Sequence, residues 1–223
     1  MRVLVVSEAP VPTLHRSYRS DPLAKYLSAM GHEVSVVCPK PAGDVEGEGY
    51  EAISFCHLPE QRYEKYSPIS RYRFLASIRK RVEALLDEEK FDVIRPITFP
   101  AGYATITAKA KKPPVITNLS DFYSDLYRQF ELPLSPLVSM VLRRMERRVI
   151  KGSDVLLVDA PTQRTYWRDW GLDVRRCAVL PNGVDRRLFN PEADGNEIRE
   201  TYRLDETSKL VFYHGDLSRL DGV

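Results

Sequence analysis

Residues 2–6, Arg2-Val3-Leu4-Val5-Val6, form the short apolar run on which the reading of the fold turns. The run is too short for a helix, and it has no alternation of polar and apolar positions. It therefore reads as a strand buried on both faces. Such a strand needs helices on either side, and the flanking sequence supplies one. After the loop Ser7–Arg19, Asp21-Pro22 opens a helix with proline in its first turn. Leu23, Tyr26, Leu27 and Met30 follow at helical spacing, and Gly31 closes it.

The same rhythm continues outward. Glu33–Cys38 is a second strand, followed by a Pro/Gly/acidic loop through Gly49 and a more peripheral strand over Ala52–Leu58. Ser70 begins a long helix with Phe74, Leu75, Ile78, Val82, Leu85 and Leu86 on one face. Phe91–Arg95 and Val115–Asn118 read as strands on either side of a helix over Ala101–Ala110. Leu137–Ile150 is an amphipathic helix, Asp154–Val158 a strand, Thr162–Trp170 a helix ended by Gly171, and Arg176–Leu180 a strand. This alternation implies an α/β fold: a Rossmann-like, doubly wound, mostly parallel sheet with helices on both faces and right-handed crossovers. Ligands of such sheets sit beyond the carboxyl ends of the strands, which singles out the loops Ser7–Ser20, Leu119–Pro133 and Pro181–Pro191.

Beyond Pro191 the pattern changes. A short helical stretch, Glu197–Arg203, leads to the apolar run Lys209–His214, and the chain stops at Gly222-Val223 within a turn. A lone strand opening a new sheet would expose its edge. The expected organisation is a domain over 1–190, a linker over 191–207, and the truncated start of a second domain over 208–223.

Composition narrows the class. The 223 residues are 43% hydrophobic, enough for a globular core, and 33 Lys+Arg against 31 Asp+Glu leave a net charge of +2. That balance is unlike a nucleic-acid-binding protein, so no nucleic-acid partner is expected. Arg outnumbers Lys by 23 to 10, and Arg suits planar phosphate and carboxylate recognition. Cys38, Cys56 and Cys177 have no metal-ligand spacing, and their odd number points to a reducing compartment. With no signal-peptide pattern and no run of eighteen apolar residues, the expectation is a soluble cytoplasmic protein. No G-x-G-x-x-G follows Val6, so a nicotinamide-dependent enzyme is disfavoured.

The most informative motif is Pro181-Asn182-Gly183-Val184-Asp185 with Leu188-Phe189-Asn190-Pro191. By itself Asn-Gly is a turn needing positive φ. In sequence with Met145-Glu146-Arg147-Arg148 and Gly152-Ser153-Asp154-Val155, however, it resembles the retaining glycosyltransferases of family 4, of GT-B fold. The opening MRVLVVSEAP, Gly31-His32 before EVSVVCP, Phe91-Asp92-Val93-Ile94, and His214–Gly222 fit the same resemblance. It spans nearly the whole chain and rests on the order of the motifs rather than on any one of them.

The resemblance implies the acceptor-side, N-terminal half of a GT-B enzyme, with only the first strand of the donor-binding half. The implied activity is retaining transfer of a hexosyl unit from a nucleotide-diphosphate sugar to a hydroxyl acceptor. No metal or other cofactor is implied, and the chain alone is expected to be inactive. The alternative is a non-catalytic acceptor-binding or regulatory module derived from such an enzyme.

Site residues follow by position. The Ser7–Ser20 loop lacks the family's glycines and offers His15 and Arg16 for the acceptor, with Arg19 beside them; simple solvation is the competing reading. Where many members carry a histidine this chain has Ser120. Asp121 is the candidate catalytic residue, accepting a hydrogen bond from an acceptor hydroxyl, against a role as N-cap of a helix over Phe122–Phe130. Phe122 and Tyr123, with Tyr127 and Phe130, offer an acceptor platform or ordinary core packing. Gly215, Ser218 and Arg219 are the candidate donor-phosphate contacts, although Asp216 and Asp221 stand where the family usually has cations. Lastly, Arg79-Lys80-Arg81 and Arg143, Arg144, Arg147, Arg148 and Lys151 make two basic helices. They are read either as solvated faces paired with Glu83 and Glu146 or as peripheral contacts with an anionic membrane.

Overall fold

The computed structural model describes residues 1–11, 20–41, 49–59, 68–129, 135–171, 173–183, 190–192, 194–205 and 207–211. The chain divides into two compact units, Met1–Leu180 and Pro181–Val223. In the first unit seven strands alternate with helices in chain order: β1 (Arg2–Ser7), α1 (Ser20–Ala29), β2 (Glu33–Cys38), β3 (Ile53–His57), α2 (Pro68–Glu88), β4 (Val93–Ile97), α3 (Phe99–Thr107) and β5 (Ile116–Asn118). They continue with α4 (Tyr123–Gln129), α5 (Ser135–Gly152), β6 (Val155–Val158), α6 (Pro161–Asp169) and β7 (Cys177–Val179). The strands form one sheet in the order β3-β2-β1-β4-β5-β6-β7, every described pairing parallel.

The opening strand does what its composition dictates. Leu4 and Val6 pack with Ile78, Val82 and Leu85 of α2 and Ala101 and Ala104 of α3. Val3 and Val5, pointing the other way, pack with Leu23, Ala24 and Leu27 of α1. Both faces of β1 are covered, so neither face tolerates a polar residue.

β4 runs two residues beyond its expected end, through Pro96 to Ile97. Proline cannot donate to a ladder, so a strand interior is an unfavourable place for it. The structure shows the compensation. Ile94 N–H donates to Pro114 C=O, and the next donor in that parallel phase would be residue 96 aimed at Ile116 C=O. Arg95 supplies it instead, its Nη1 donating to Ile116 C=O at 2.9 Å. Arg95 is only 8% exposed, and burial lowers its guanidinium pKa to about 10.

In the second unit, α7 (Asn196–Thr201) is followed by a turn in which Asp205 accepts from the Thr207 N–H and Arg199 donates to the Asp205 carbonyl. The expected strand over Lys209–His214 is not found at Lys209–Val211, which lie outside any strand, and Val211 is 98% exposed. His214 and its neighbours fall outside the described residues.

α3 sits close to β5 because residue 102 has no side chain. A Cβ there would lie 2.9 Å from Thr117 Cγ2 and 3.0 Å from Val149 Cγ1. Ala is a better helix former than Gly by roughly 1 kcal/mol. Overpacking a tight contact costs about 1–3 kcal/mol, so the steric term is the larger. Gly102→Ala is expected to lower the unfolding free energy measured in urea. A variant more stable than the parent would show that α3 is not seated this tightly.

Candidate functional site

The strand order reverses between β1 and β4, and a crevice at such a switch point is where open α/β sheets bind ligands. Three chain segments leave the sheet there: Glu8 after β1, Thr98 after β4, and the run Leu119–Phe122 after β5.

Each is held by local chemistry. Ser7 ties the start of its loop to the start of α1, its hydroxyl 3.0 Å from that of Ser20, and it accepts from the Ala9 N–H at 3.1 Å. Thr98 has φ 82°, a value unfavourable for a β-branched residue. Such strain costs about 1–3 kcal/mol and concentrates at functional sites. The Thr98 carbonyl accepts the first hydrogen bond of α3, from Gly102 N–H at 3.1 Å. The Thr98 Oγ1 atom is buried without hydrogen-bond geometry to any described partner, yet it lies near enough to Glu8 to favour the ionised carboxylate. Gln163 of α6 pins the β5 loop: its amide donates to Ser120 C=O, while its Oε1 accepts from Asp159 and Ala160 N–H at 2.6 and 3.2 Å.

Glu8 is the centre of the cluster. Its carboxylate accepts from the Tyr123 hydroxyl at 3.2 Å. Burial pushes its pKa above the usual range, opposed by the Thr98 and Tyr123 hydroxyls and by Arg71 of α2, and reinforced by the negative charge of Asp121. Tyr123 is raised in turn, chiefly by burial and then by Glu8 and Asp121. The result is a crevice with two carboxyls in different settings, Glu8 half-buried and bonded to a phenol, Asp121 exposed, with a guanidinium near enough to act on Glu8 through its charge. This set can donate to and accept from neighbouring hydroxyls of a polyol.

The expected residues divide as follows. Asp121 and Tyr123 come together here. The Phe122 ring packs at 4.3 Å from Tyr166 and 5.3 Å from Trp167, joining the start of α4 to α6. Tyr123 packs at 5.3 Å from Phe99 while its hydroxyl donates to Glu8, so its ring has the core-packing role. Arg71 stands over the Tyr127 ring at 5.8 Å. His15, Arg16, Arg19, Phe130, Gly215, Asp216, Ser218, Arg219 and Asp221 fall outside the described residues. Glu8, Thr98 and Arg71 were not anticipated. For Glu8 the available signal was its place, one residue beyond a central strand.

Asp121 is not the residue at the N-cap of α4. The helix starts at Tyr123, with Phe122 C=O accepting from Asp125 and Leu126 N–H at 3.0 and 2.9 Å. The free N–H of Ser124 is instead met by Glu146 of α5, whose Oε1 accepts at 3.0 Å while its Oε2 accepts from the Ser124 hydroxyl at 2.7 Å. Glu146 is 2% exposed. The idea that it pairs with surface arginines is therefore corrected: it points inward. Likewise Glu83 of α2 accepts from the Lys109 backbone N–H at 2.7 Å.

A polar cavity lined by Arg2, Glu33, Glu89 and Phe91 lies at the opposite, amino end of the strands. Arg2 is already paired there with Glu33 at 3.0 Å and Glu89 at 2.6 Å, so the cavity reads as a structural ion-pair network. Among the described residues no group of three or more His, Cys, Asp or Glu could hold a metal, and no helix is long and apolar enough to cross a membrane.

A model of the family described as Glycosyltransferase Family 4 matches residues 21–188. The chain belongs to glycosyltransferase family 4. No curated protein matches it. Among solved structures, sucrose-phosphate synthase from Thermosynechococcus elongatus is similar over 92% of this chain and 53% of its own, with TM-score 0.70 and 14% identity. WaaG, a glycosyltransferase involved in lipopolysaccharide biosynthesis, is similar over 92% of this chain and 52% of its own, with TM-score 0.62 and 18% identity. The catalytic domain of starch synthase IV from Arabidopsis thaliana, bound to ADP and acarbose, covers 93% of this chain and 60% of its own, with TM-score 0.57 and 15% identity. The family 4 chain thus has the Rossmann-like α/β fold of GT-B glycosyltransferases and spans about half the length of these proteins.

The raised pKa of Glu146, caused first by burial, generates a signed prediction. Between the ordinary value of 4.5 and the raised one, the folded chain binds more protons than the unfolded chain. Stability then falls as pH rises through that window. Glu146→Gln is expected to flatten the slope in pH-dependent urea unfolding, leaving the part due to Glu8. Glu146→Ala uncaps Ser124 and is expected to lose about 1–3 kcal/mol at neutral pH. An unchanged slope in Glu146→Gln would refute the assignment.

Proposed function

We propose that this family 4 chain is the acceptor-side lobe of a retaining hexosyltransferase. The domain limits are those expected from the sequence: the lobe over 1–190, a linker over 191–207, and the start of a donor-binding domain from 208. The single observation that supports this most is the meeting of Glu8, Thr98, Asp121 and Tyr123 at the switch point of the sheet. Hydroxyl-rich substrates suit such a cluster, because one carboxyl, one phenol and one exposed carboxylate can engage adjacent hydroxyls at once.

In the proposed reaction the bond from the sugar C1 to the leaving phosphate oxygen breaks, and a bond from C1 to the acceptor oxygen forms on the same face. The acceptor proton passes to the departing phosphate oxygen, so no strong protein base is required. Asp121 accepts a hydrogen bond from the reacting acceptor hydroxyl and orients it. Glu8 and Tyr123 hold the neighbouring hydroxyls, with Phe122 supporting the β5 loop and His15 and Arg16 at the acceptor. Gly215, Ser218 and Arg219 contact the donor phosphates, no metal takes part, and nucleic acid is not a partner. The starch synthase structure, with its ADP and acarbose, makes a nucleotide sugar the reasonable donor class here. Turnover requires a donor-binding lobe, so the 223 residues alone do not transfer sugar. The protein works in the cytoplasm, peripherally on an anionic membrane, on a sugar or lipid-linked acceptor. A non-catalytic acceptor-binding module is the second reading, favoured by Asp216 and Asp221 at the expected diphosphate turn.

Ligand titration by nuclear magnetic resonance tests the proposal. A panel of mono- and disaccharides without nucleotide is expected to include members that shift the resonances of Glu8, Thr98, Asp121 and Tyr123. Glu8→Gln and Asp121→Asn are each expected to weaken that binding about tenfold or more, the size of a hydrogen bond to a charged group. Sugars that shift none of these residues, or robust turnover of nucleotide sugars by the chain alone, would overturn it. Transfer regained when a donor-binding lobe is supplied separates the enzyme from the non-catalytic module.

A further inference from the structure

We infer that α5 is the membrane-docking helix of this lobe, its apolar first half entering an anionic bilayer and its basic second half resting on the headgroups. The inward face of α5 is filled by Ser139, Glu146, Val149 and Ile150, all buried. The outward face carries two different halves. Leu137, Met140 and Val141 stand 58%, 62% and 54% exposed, one patch at helical spacing. One to three turns further on, Arg144, Arg147, Arg148 and Lys151 are exposed on the same side, and every acid-capable position on that side is basic, apolar or glycine. The stretch from Leu137 to Lys151 is about 21 Å long at 1.5 Å per residue.

Two simpler accounts fall short. Cations in a last turn are favoured by the helix dipole, which explains Arg148 and Lys151. It does not explain Arg144, two turns back, or the exposed apolar trio. Solvated ion pairing fails as well. The only acid of the helix, Glu146, is buried on Ser124, and among the described residues none of the four cations has a carboxylate partner. Arg144 with Arg148, and Arg147 with Lys151, are like charges at i, i+4, which destabilises a helix. An anionic surface relieves that repulsion. Nucleic acid would relieve it too, but would leave Leu137, Met140 and Val141 unaccounted for, whereas an amphipathic helix at a bilayer uses both halves.

The second basic helix does not share these features. Arg79 and Arg81 of α2 are half-buried, only Lys80 of that trio is exposed, and Arg81 lies beside Cys56. Arg143 is also withdrawn, stacked 4.1 Å over the Trp170 ring. Neither that trio nor Arg143 therefore extends the exposed basic face of α5. Its apolar half lies at the carboxyl end of the sheet, where Ser139 of α5 donates to Ser124 C=O of α4 at 2.6 Å, next to Tyr123. Docking this way brings the crevice to the membrane, as a lipid-linked acceptor requires; only this orientation rests on the acceptor-lobe reading.

Co-sedimentation of the full chain with extruded vesicles tests the inference. Binding is expected to phosphatidylcholine:phosphatidylglycerol (1:1) vesicles, with weak binding to pure phosphatidylcholine and loss of binding at high salt. Each of Arg144→Gln, Arg147→Gln, Arg148→Gln and Lys151→Gln is expected to lower partitioning about fivefold. Leu137→Asn/Met140→Gln/Val141→Thr is expected to lower it further while leaving the circular dichroism melt unchanged, because all three side chains are exposed. Lys80→Gln on α2 is the control expected to bind like the parent. The inference is overturned if the parent ignores anionic vesicles, if the α5 variants bind as well as the parent, or if Lys80→Gln loses as much as they do. Tight binding to DNA or heparin without vesicle binding overturns it equally. Sugar titration of the crevice does not depend on vesicles, so either reading can fail while the other stands.

Discussion

One buried carboxylate governs much of this molecule. Glu146 leaves the surface of α5 to meet the Ser124 N–H and hydroxyl at the start of α4. Burying a carboxyl in this way is unfavourable unless its lone pairs are used, and here both oxygens are. Ser139 adds a second tie from α5 to the Ser124 carbonyl. Together they fix a short helix that could not hold its place by propensity alone, and that helix carries Tyr123 to Glu8. Moving Glu146 inward also strips α5 of its only acid, so the outward face is left basic.

The crevice owes its position to chain order rather than to any one residue. β1 and β4 are neighbours in the sheet, yet the helices that follow them cover opposite faces: α1 packs with Val3 and Val5, α3 with Leu4 and Val6. The chain must therefore part beyond their carboxyl ends. Glu8 and Thr98 stand at the two lips of that gap, and the β5 loop, held by Gln163, closes the third side. Thr98 is kept at positive φ by what lies on either side of it, a buried strand residue Ile97 and a buried Phe99. Strain there is the cost of a sharp turn directly from a central strand into a helix.

Much of the fold was legible because it rests on periodicity. All seven strands of the sheet lie within two residues of where apolar runs and helix spacing place them, since parallel strands buried on both faces leave an unmistakable apolar signature. β4 continues past the expected end at Arg95 through Pro96, because a guanidinium replaces the donor that proline lacks, which no local rule encodes. The site was less legible. Asp121 and Tyr123 were singled out by the family resemblance after β5, but Arg71 acts on Glu8 and Tyr123 from a helix some fifty residues earlier, which no spacing rule encodes. Glu146 did leave a signal: it falls four residues after Leu142 and three before Val149, on the apolar face of α5. A charged residue in that register is either a misfit or a cap for something else, and here it is a cap.

The same helix links the crevice to a surface. Because β5 and β6 are parallel, α5 must return from the carboxyl end of the sheet to its amino end. Its first turns therefore stand beside α4 and the crevice, and its last turns beside Ser153 and Asp154, where Asp154 accepts from the Val115 N–H at 2.8 Å. The apolar half of the outer face is thus set at the substrate end by topology, not by chance. Were the basic half there instead, lysine and arginine would raise the local potential around Glu8 and favour its ionised form. With the cations at the far end, burial remains the dominant influence on Glu8 and holds its pKa above the usual carboxylate range.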